Sequence, residues 1–138
     1  MAIVMSNDVS LVVNAVNLSD HVREIKVDMS AEDLDATAMG ATSRTHARGL
    51  RDDRAEVTFL QDFAAASVDA TLSPLFTSTG FSVVIKPTSA SVGSTNPSYT
   101  FTAILLDYSP INATVGEISE NEVVFVPAPG SSIARAVT

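Results

Sequence analysis

The 138-residue chain contains no cysteine, no tryptophan and only two lysines. The absence of cysteine excludes disulfides, thiolate catalysis, iron–sulfur clusters and cysteine-ligated zinc sites. Eight basic side chains stand against sixteen acidic ones, so the net charge is −8 and the sequence pI is about 4.4. Proteins that grip nucleic acid through its phosphates, or that bind an anionic membrane surface, need clustered Lys and Arg. The composition therefore argues against both functions.

Long hydrophobic runs are missing as well. The two longest uncharged stretches, 70–85 and 87–106, both contain proline or glycine, so we expect neither to cross a bilayer as a helix. The first eight residues lack the basic segment of a secretory signal, and we expect a protein made in the cytoplasm. The length allows one hydrophobic core. We expect a single domain over residues 1–138, with terminal arms at 1–9 and 128–138.

What the chain does contain favours β-structure, because valine, threonine and serine are abundant and few residues suit exposed helix faces. The pattern predicts a mainly β fold, an antiparallel β-sandwich or barrel-like domain with one flanking α-helix at about 67–77. A tight hairpin is predicted around Asn14-Ala15. Alternating or apolar runs predict the strands 22–29, 54–60, 81–86, 99–108 and 117–126, with 99–108 buried on both faces.

The segment between the first two long strands has no clear period. The Ser-x-x-Asp spacing at Ser30 predicts a capped helical turn over 30–34. Residues 36–50 are small and polar, and they predict a long inter-strand loop that carries Arg44 and Arg48. Loops of this length in compact domains are usually functional or mobile.

Charge is unevenly distributed along the chain. Residues 20–69 hold 17 of the 24 charged side chains, and the last 69 residues hold only six. So few charges in half of the chain suggest that part of its surface is covered by other subunits. A monomeric sheet covered by serine and threonine accounts for the same numbers.

The sequence holds few combinations of residues that could perform chemistry. His21 stands beside Asp20, but no nucleophile elbow is present, and His46 is distant in sequence. The acidic residues near Asp33 do not have the spacing of a calcium loop, and no phosphate-binding glycine pattern occurs. We therefore expect no enzymatic activity, no cofactor and no metal. An enzyme that uses one of the two histidines remains as an alternative.

Several segments, taken in order, resemble the tail tube (major tail) proteins of long, non-contractile-tailed bacteriophages. The first is Val13–Val22, VNAVNLSDHV, with Ala15 where the family pattern has glycine. The resemblance covers roughly residues 10–127 and continues through Asp35–Gly40, Gln61–Ala65, Ser67–Leu75, Pro87–Ala90, Thr95–Tyr99 and Tyr108–Pro110.

This resemblance implies a structural virion protein. Such subunits are β-sandwiches with a flanking helix that form hexameric rings, and the rings stack into a hollow tail tube through which the genome is ejected. The partners implied are further copies of the chain together with tape-measure, tail terminator and baseplate or tip proteins. Phage DNA would pass without specific binding, and the protein would be made in the cytoplasm of the host bacterium.

The resemblance also implies that the long early loop reaches the adjacent subunit or ring. The residues that would form this contact are Thr37, Met39, Gly40, Arg44, His46, Arg48 and Arg51. An acidic channel wall would repel the DNA phosphates. The acids considered for the lumen are Asp107, Glu117, Glu120 and Glu122, although solubility of the outer surface explains them equally well.

Three other interpretations remain open at this point. The chain could be another virion module, such as a tail terminator, a decoration protein or a secretion-type tube protein. It could be a small β-barrel that binds a ligand in its mouth. The third is the histidine-dependent enzyme already mentioned.

Overall fold

A computed structural model describes residues 7–138 of the chain. The expected arm over residues 1–9 therefore lies largely outside the described residues. The described part contains eight strands, one α-helix, α1 (Val68–Leu75), and a 3₁₀ turn at Ser19–His21. The strands are β1 (Ser10–Val13), β2 (Val16–Asn17), β3 (Val22–Asp35), β4 (His46–Leu60), β5 (Phe81–Lys86), β6 (Ser98–Tyr108), β7 (Glu120–Pro127) and β8 (Ala134–Ala136).

The strands form a single antiparallel sheet in the order β2-β1-β5-β6-β7-β4-β3, and β8 pairs with β6 beside this path. The sheet is not closed, since β2 and β3 end the path on opposite edges. This arrangement confirms the mainly β class with one helix. Within residues 7–138, no helix is long and apolar enough to span a membrane.

One face of the sheet forms the core, and alternation along each strand explains which residues it contains. Phe59, Phe125 and Val83 are completely buried, and the rings of Phe81 and Phe125 meet edge to face at 5.8 Å between centroids. Each large side chain buried in this way contributes about 1.5–3 kcal/mol. Helix α1 adds its apolar stripe to the same core through the buried residues Val68, Leu72 and Leu75.

Three local predictions hold closely. Asn14 and Ala15 have φ angles of 49° and 65°, as a two-residue turn of this hairpin requires, although alanine is unfavourable there by about 1 kcal/mol. Strand β5 has the predicted limits. The helix is shorter than predicted and has Pro74 in its last turn, where proline lacks the N–H group that would donate to the carbonyl oxygen of Ala70 four residues earlier.

Two predictions for residues 30–50 are wrong. Residues 30–34 form strand rather than a helical turn, and the loop predicted over 36–50 covers only 36–45. Strand β3 continues to Asp35, and β4 already begins at His46. The backbone ladder between the two strands overrides the weak capping signal. Both strands are solvent-exposed here, so no hydrophobic alternation marks them in the sequence.

The second half of the chain also differs in detail. Strand β6 is buried on one face only, and Leu106 lies at a bulge with 57% of its surface exposed. Strand β7 begins at Glu120 rather than at residue 117. The C-terminal residues, expected as an arm, contain β8 and bury Ala128 and Ile133, because these side chains complete the apolar core.

Candidate assembly surfaces

The longest extension from the sheet is the outer part of the β3–β4 hairpin. Strand β7 pairs with β4 only over residues 55–60, so residues 29–53 continue beyond β7 as a two-stranded arm. We call residues 29–53 the hairpin arm. It exposes four large apolar side chains: Met29 at 48%, Leu34 at 43%, Leu50 at 82% and Met39 at 104%. Several large apolar side chains exposed along one extended element favour contact with another protein.

Every contact residue expected from the sequence lies on this arm. Thr37, Met39, Gly40 and Arg44 lie in the 36–45 loop, and Gly40 takes the left-handed φ of +85° that a tight turn requires. The other three are on β4: His46, Arg48 and Arg51. The structure places these seven residues on the arm, with Arg51 near its base, and their contact with a neighbour remains a prediction.

Charged groups near the arm tip pair with each other across the hairpin. Arg44 Nη1 lies 2.6 Å from Asp35 Oδ2, and His46 Nδ1 lies 2.8 Å from Asp33 Oδ1. Hydrogen bonds from the Thr37 hydroxyl and amide, followed by the bond from Arg44, lower the pKa of the Asp35 carboxyl. Arg44 thus has a partner in its own chain, whereas the sequence hypothesis gave it one in a neighbour.

The base of the arm is joined to the C-terminal segment through an ion pair between partly exposed Arg51 and buried Asp53, both of which contact Ile133. The side chain of Asp53 is 1% exposed, and its Oδ2 lies 2.7 Å from Arg51 Nη2. Arg51 also donates to the carbonyl oxygen of Ile133 at 3.2 Å, and the amide of Ile133 donates to Asp53 Oδ2 at 3.1 Å. Among the described residues, Arg48 has no ion pair, so it is the arm arginine most available to a neighbour.

Sequence reasoning missed the cluster formed by Arg51, Asp53 and Ile133. Ile133 lies 80 or more residues from Arg51 and Asp53, and no local pattern in the sequence predicts its contact with them. The only signal was that Asp53 falls on the inward side of β4, where an acid needs a partner. A buried carboxylate without one would lose ionisation or destabilise the fold.

A second apolar surface lies at the other end of the same strand. The register pairs Leu60, the last residue of β4, with Glu120, so residues 109–119 lie at the end opposite to the arm tip. We call them the β6–β7 loop. Fifteen residues of strand span roughly 50 Å, which is the approximate length that separates the two ends. The β6–β7 loop exposes Ile111 at 82%, Val115 at 102% and Ile118 at 72%.

The β6–β7 loop also borders an open depression of about 420 Å³. Its lining combines one apolar residue with polar and charged ones, namely Arg23, Asn112, Thr114, Glu117, Ile118 and Glu120. Gln61 anchors the loop by donating to the carbonyl oxygen of Pro110 at 2.6 Å. The apolar residues and the acidic depression together form a surface that differs from the arm tip in both shape and charge.

Three of the four acids considered for a channel wall share one face of the sheet. Asp107 of β6 is aligned with Val124 of β7, and Val124 is aligned with Glu56 of β4. These three side chains lie on the face opposite to the core. Glu120 and Glu122 lie on that face of β7, and Glu120 pairs with Arg23. Glu117 does not join them, because it lies in the β6–β7 loop.

The outer face divides into two halves of different charge. The half formed by β3, β4, β7 and the end of β6 is called the acidic half-face. Its acids are Glu24, Asp28, Glu56, Asp107, Glu120 and Glu122, and its basic residues are Lys26, Arg54 and Arg23, the last of which pairs with Glu120. The half formed by β1, β5 and the rest of β6 is called the neutral half-face. It carries Val12, Ser82, Val84, Lys86, Thr100, Thr102 and Ile104, with a single charge.

The histidines do not form a catalytic arrangement. His21 Nε2 lies 2.9 Å from Asp62 Oδ2, and the Ser67 hydroxyl donates to that same oxygen at 2.8 Å. Ser67 Oγ also lies 3.4 Å from this Nε2. A serine nucleophile needs an imidazole nitrogen that is free to accept its proton, but here the nearer Asp62 carboxylate contacts that nitrogen and accepts the hydrogen bond from Ser67. His46 lies on the exposed arm with Asp33. Within residues 7–138, no group of three or more possible ligands could hold a metal ion.

A ligand site of the barrel type has little support in the geometry. An apolar groove among the described residues has a volume of about 290 Å³ and is open to solvent. It is lined by Val9, Val27, Met29, Ile85, Lys86, Pro87 and Tyr99. Small-molecule sites usually enclose most of their ligand and direct a few polar groups inward, and this groove does neither.

Comparisons with known proteins place the fold. No protein-family model matches the chain, and no curated protein does so either. A chain in the virion of a native gene transfer agent particle matches with a TM-score of 0.72 and 12% identity, over 94% of this chain and 98% of that one. The SPP1 tail tube matches with a TM-score of 0.72 and 11% identity, over 99% and 80%. The chain has the fold of a tail tube subunit.

A third solved structure points the same way. A chain in the tail of an empty gene transfer agent particle, determined with C6 symmetry, matches with a TM-score of 0.61 and 12% identity. The match covers 83% of this chain and 82% of that one. The fold that the sequence resemblance implied is therefore confirmed, at identities too low for any residue of the neighbours to be carried over to this chain.

Proposed function

We propose that this chain is the repeating structural subunit of a hollow phage tail tube, and that it is not an enzyme. The observation that carries the proposal is the pair of different exposed apolar surfaces at opposite ends of β4, the arm tip and the β6–β7 loop. Contacts between unlike surfaces join subunits head to tail, and they generate open assemblies unless a rotation closes them. An axial stack of rings is such an assembly.

Within a ring, the exposed edge of β3 is suited to lateral contact. Strand β3 is 14 residues long and lies at the end of the sheet, so one row of its backbone groups lacks a strand partner among the described residues. Long uncovered edges invite pairing with another chain. We propose rings of six copies, in line with the resemblance and with the C6 symmetry of the gene transfer agent tail.

The acidic half-face is our choice for the channel wall. Six copies with a net charge of −8 each would give a ring a formal charge of −48. An acidic wall repels phosphates, whereas a basic wall would bind them and slow the passage of DNA. We assign Asp107, Glu120 and Glu122 to this wall, while Glu117 in the β6–β7 loop is assigned to contact between rings.

The remaining partners follow from the proposed role. A tube of defined length needs a tape-measure protein inside it, a terminator at one end and a baseplate or tip at the other. The protein would be found in the virion tail after synthesis in the host cytoplasm. A closed single ring, as expected for a terminator, would use the lateral contact but not the axial one.

Electron microscopy of the purified chain tests this function directly. We expect hollow tubes at high protein concentration. In the double variant Met39→Ser/Leu50→Ser, we expect a folded protein whose critical concentration for tube formation rises at least tenfold. Covering each of these side chains contributes about 1.5 kcal/mol or more, and a polar replacement removes that gain.

Val137→Ser is the matched control, because Val137 is also exposed, at 38%, but lies outside both end surfaces. Its tubes should form as in the parent chain. Single closed rings of the parent chain would favour the terminator, and a monomer at every concentration would contradict the proposal. Unimpaired tubes of the double variant would contradict the role of the arm.

A further inference from the structure

The imidazole of His21 is held between two carboxylates. Its Nδ1 lies 2.8 Å from Asp20 Oδ1 and its Nε2 lies 2.9 Å from Asp62 Oδ2. A neutral imidazole carries one N–H group, so it can donate to only one of these oxygens. The imidazolium carries two and donates to both. The geometry is therefore satisfied in full only when His21 is protonated.

Asp62 is the centre of the turn that leads from β4 into α1. Its Oδ1 accepts from the amide of Ala64 at 2.9 Å, and its Oδ2 accepts from the Ser67 hydroxyl at 2.8 Å. The bond from His21 ties this turn to the 3₁₀ turn before β3, which is 41 residues away in sequence. The turn needs such a tie, because Ala66 has a φ of 59°, which is unfavourable for a residue with a Cβ.

We infer that His21, Asp20, Asp62 and Ser67 form a protonation-dependent lock that fixes the turn at 61–67, and with it the start of α1, on the body of the subunit. In the closed lock, the imidazolium donates to both carboxylates. When His21 loses its proton, only one ring nitrogen still carries a hydrogen, so one of the two bonds is lost and the other loses the positive charge that strengthened it. The turn then keeps its local bonds, but its tie to the 3₁₀ turn before β3 is weakened.

The pH range over which the lock is closed follows from the pKa shifts of His21 and Asp62. Burial lowers the pKa of His21, but its hydrogen bonds to Asp20 and Asp62 raise it more, so the net shift is upward. This part of the stability is present below the ordinary value of 6.5 and is lost as the pH rises through the raised pKa. Asp20 and Asp62 are the charged groups that contact the ring among the described residues.

At the acidic limit, stability is lost as the pH falls rather than as it rises. Hydrogen bonds from the Ala64 amide, from Ser67 and from His21 lower the pKa of Asp62 below 3.8. The stability that Asp62 provides is present above 3.8 and is lost as the pH falls through its lowered pKa. The lock is therefore closed between these two limits.

Histidine NMR on the full chain tests the lock, since the chain contains only two histidines. We expect the titration midpoint of His21 to fall in Asp62→Asn and to stay unchanged in Asp33→Asn, which removes the partner of His46 instead. Both variants keep the shape of the side chain and remove one charge. An unchanged midpoint in Asp62→Asn would overturn the proposal.

Hydrogen exchange supplies a readout that a purely structural role would not change. Relative to intrinsic rates at each pH, we expect the amides of Ala64 and Asp69 to exchange about fivefold faster once the pH exceeds the His21 midpoint. Amides in β5 of the same molecule should show no such step. In His21→Asn, exchange at the turn should be fast at every pH. A step that persists in His21→Asn, or none in the parent chain, would overturn the proposal.

Discussion

The hairpin arm and the body of the sheet share the strands β3 and β4 but are stabilised differently. In the body, Val57 and Phe59 are buried, and the strand pair rests on a core. In the arm, large apolar residues such as Met39 and Leu50 are exposed, and the strands are joined by backbone bonds and paired charges. One strand pair thus changes from an element that stabilises the fold into one whose apolar surface is available to a neighbour.

The largest expected effect contrasts the two regions in stability. Phe125→Ala should lower the free energy of unfolding by about 3–5 kcal/mol, because it leaves a cavity in the packed core. Met39→Ala should change it by less than about 0.5 kcal/mol, because Met39 is fully exposed in the subunit. Denaturant unfolding of the unassembled subunit measures both. Comparable losses for the two variants would show that the arm stabilises the isolated fold.

The contrast also explains how much of the fold the sequence could predict. In the body, residues such as Val57 and Phe59 alternate with polar neighbours because one face meets a core, so strand limits and faces could be inferred. In the arm no face meets a core within the subunit. Apolar and polar residues therefore need not alternate in the arm, and its strands resemble a structureless polar loop when only the sequence is known.

The assembly surfaces could be predicted from the sequence only in part, as the fold could. The unusual composition of the 36–50 stretch marked the arm, but the contacts of Arg51 and Asp53 with Ile133 join residues at least 80 positions apart. The apolar residues Ile111 and Val115 gave no signal, because their exposure is known only once the β6–β7 loop is placed. The acidic half-face required the strand order, which no local pattern contains.

A smaller effect separates the base of the arm from its tip. Asp53→Asn removes the charge that pairs with Arg51 in a nearly buried site, and we expect a loss of about 1–2 kcal/mol in unfolding free energy. Arg44→Gln breaks the exposed pair with Asp35 and should cost less than about 0.5 kcal/mol. Thermal unfolding gives the stabilities. Limited proteolysis should cleave the arm faster in Asp53→Asn, and equal cleavage in both variants would contradict an anchoring role for the base.

The smallest effect on stability is expected on the outer face, where the two halves differ in charge rather than in burial. Glu122→Lys and Ser82→Lys place the same cation on exposed positions of the acidic and the neutral half-face, and each should change the unfolding free energy by less than about 0.5 kcal/mol. Their assembled tubes should differ. If the acidic half-face lines the channel, Glu122→Lys tubes should retain short DNA at low salt and release it as the salt concentration rises, because the added cations contact phosphates. Ser82→Lys tubes should retain no more DNA than the parent tubes, and the reverse result would assign the channel to the neutral half-face.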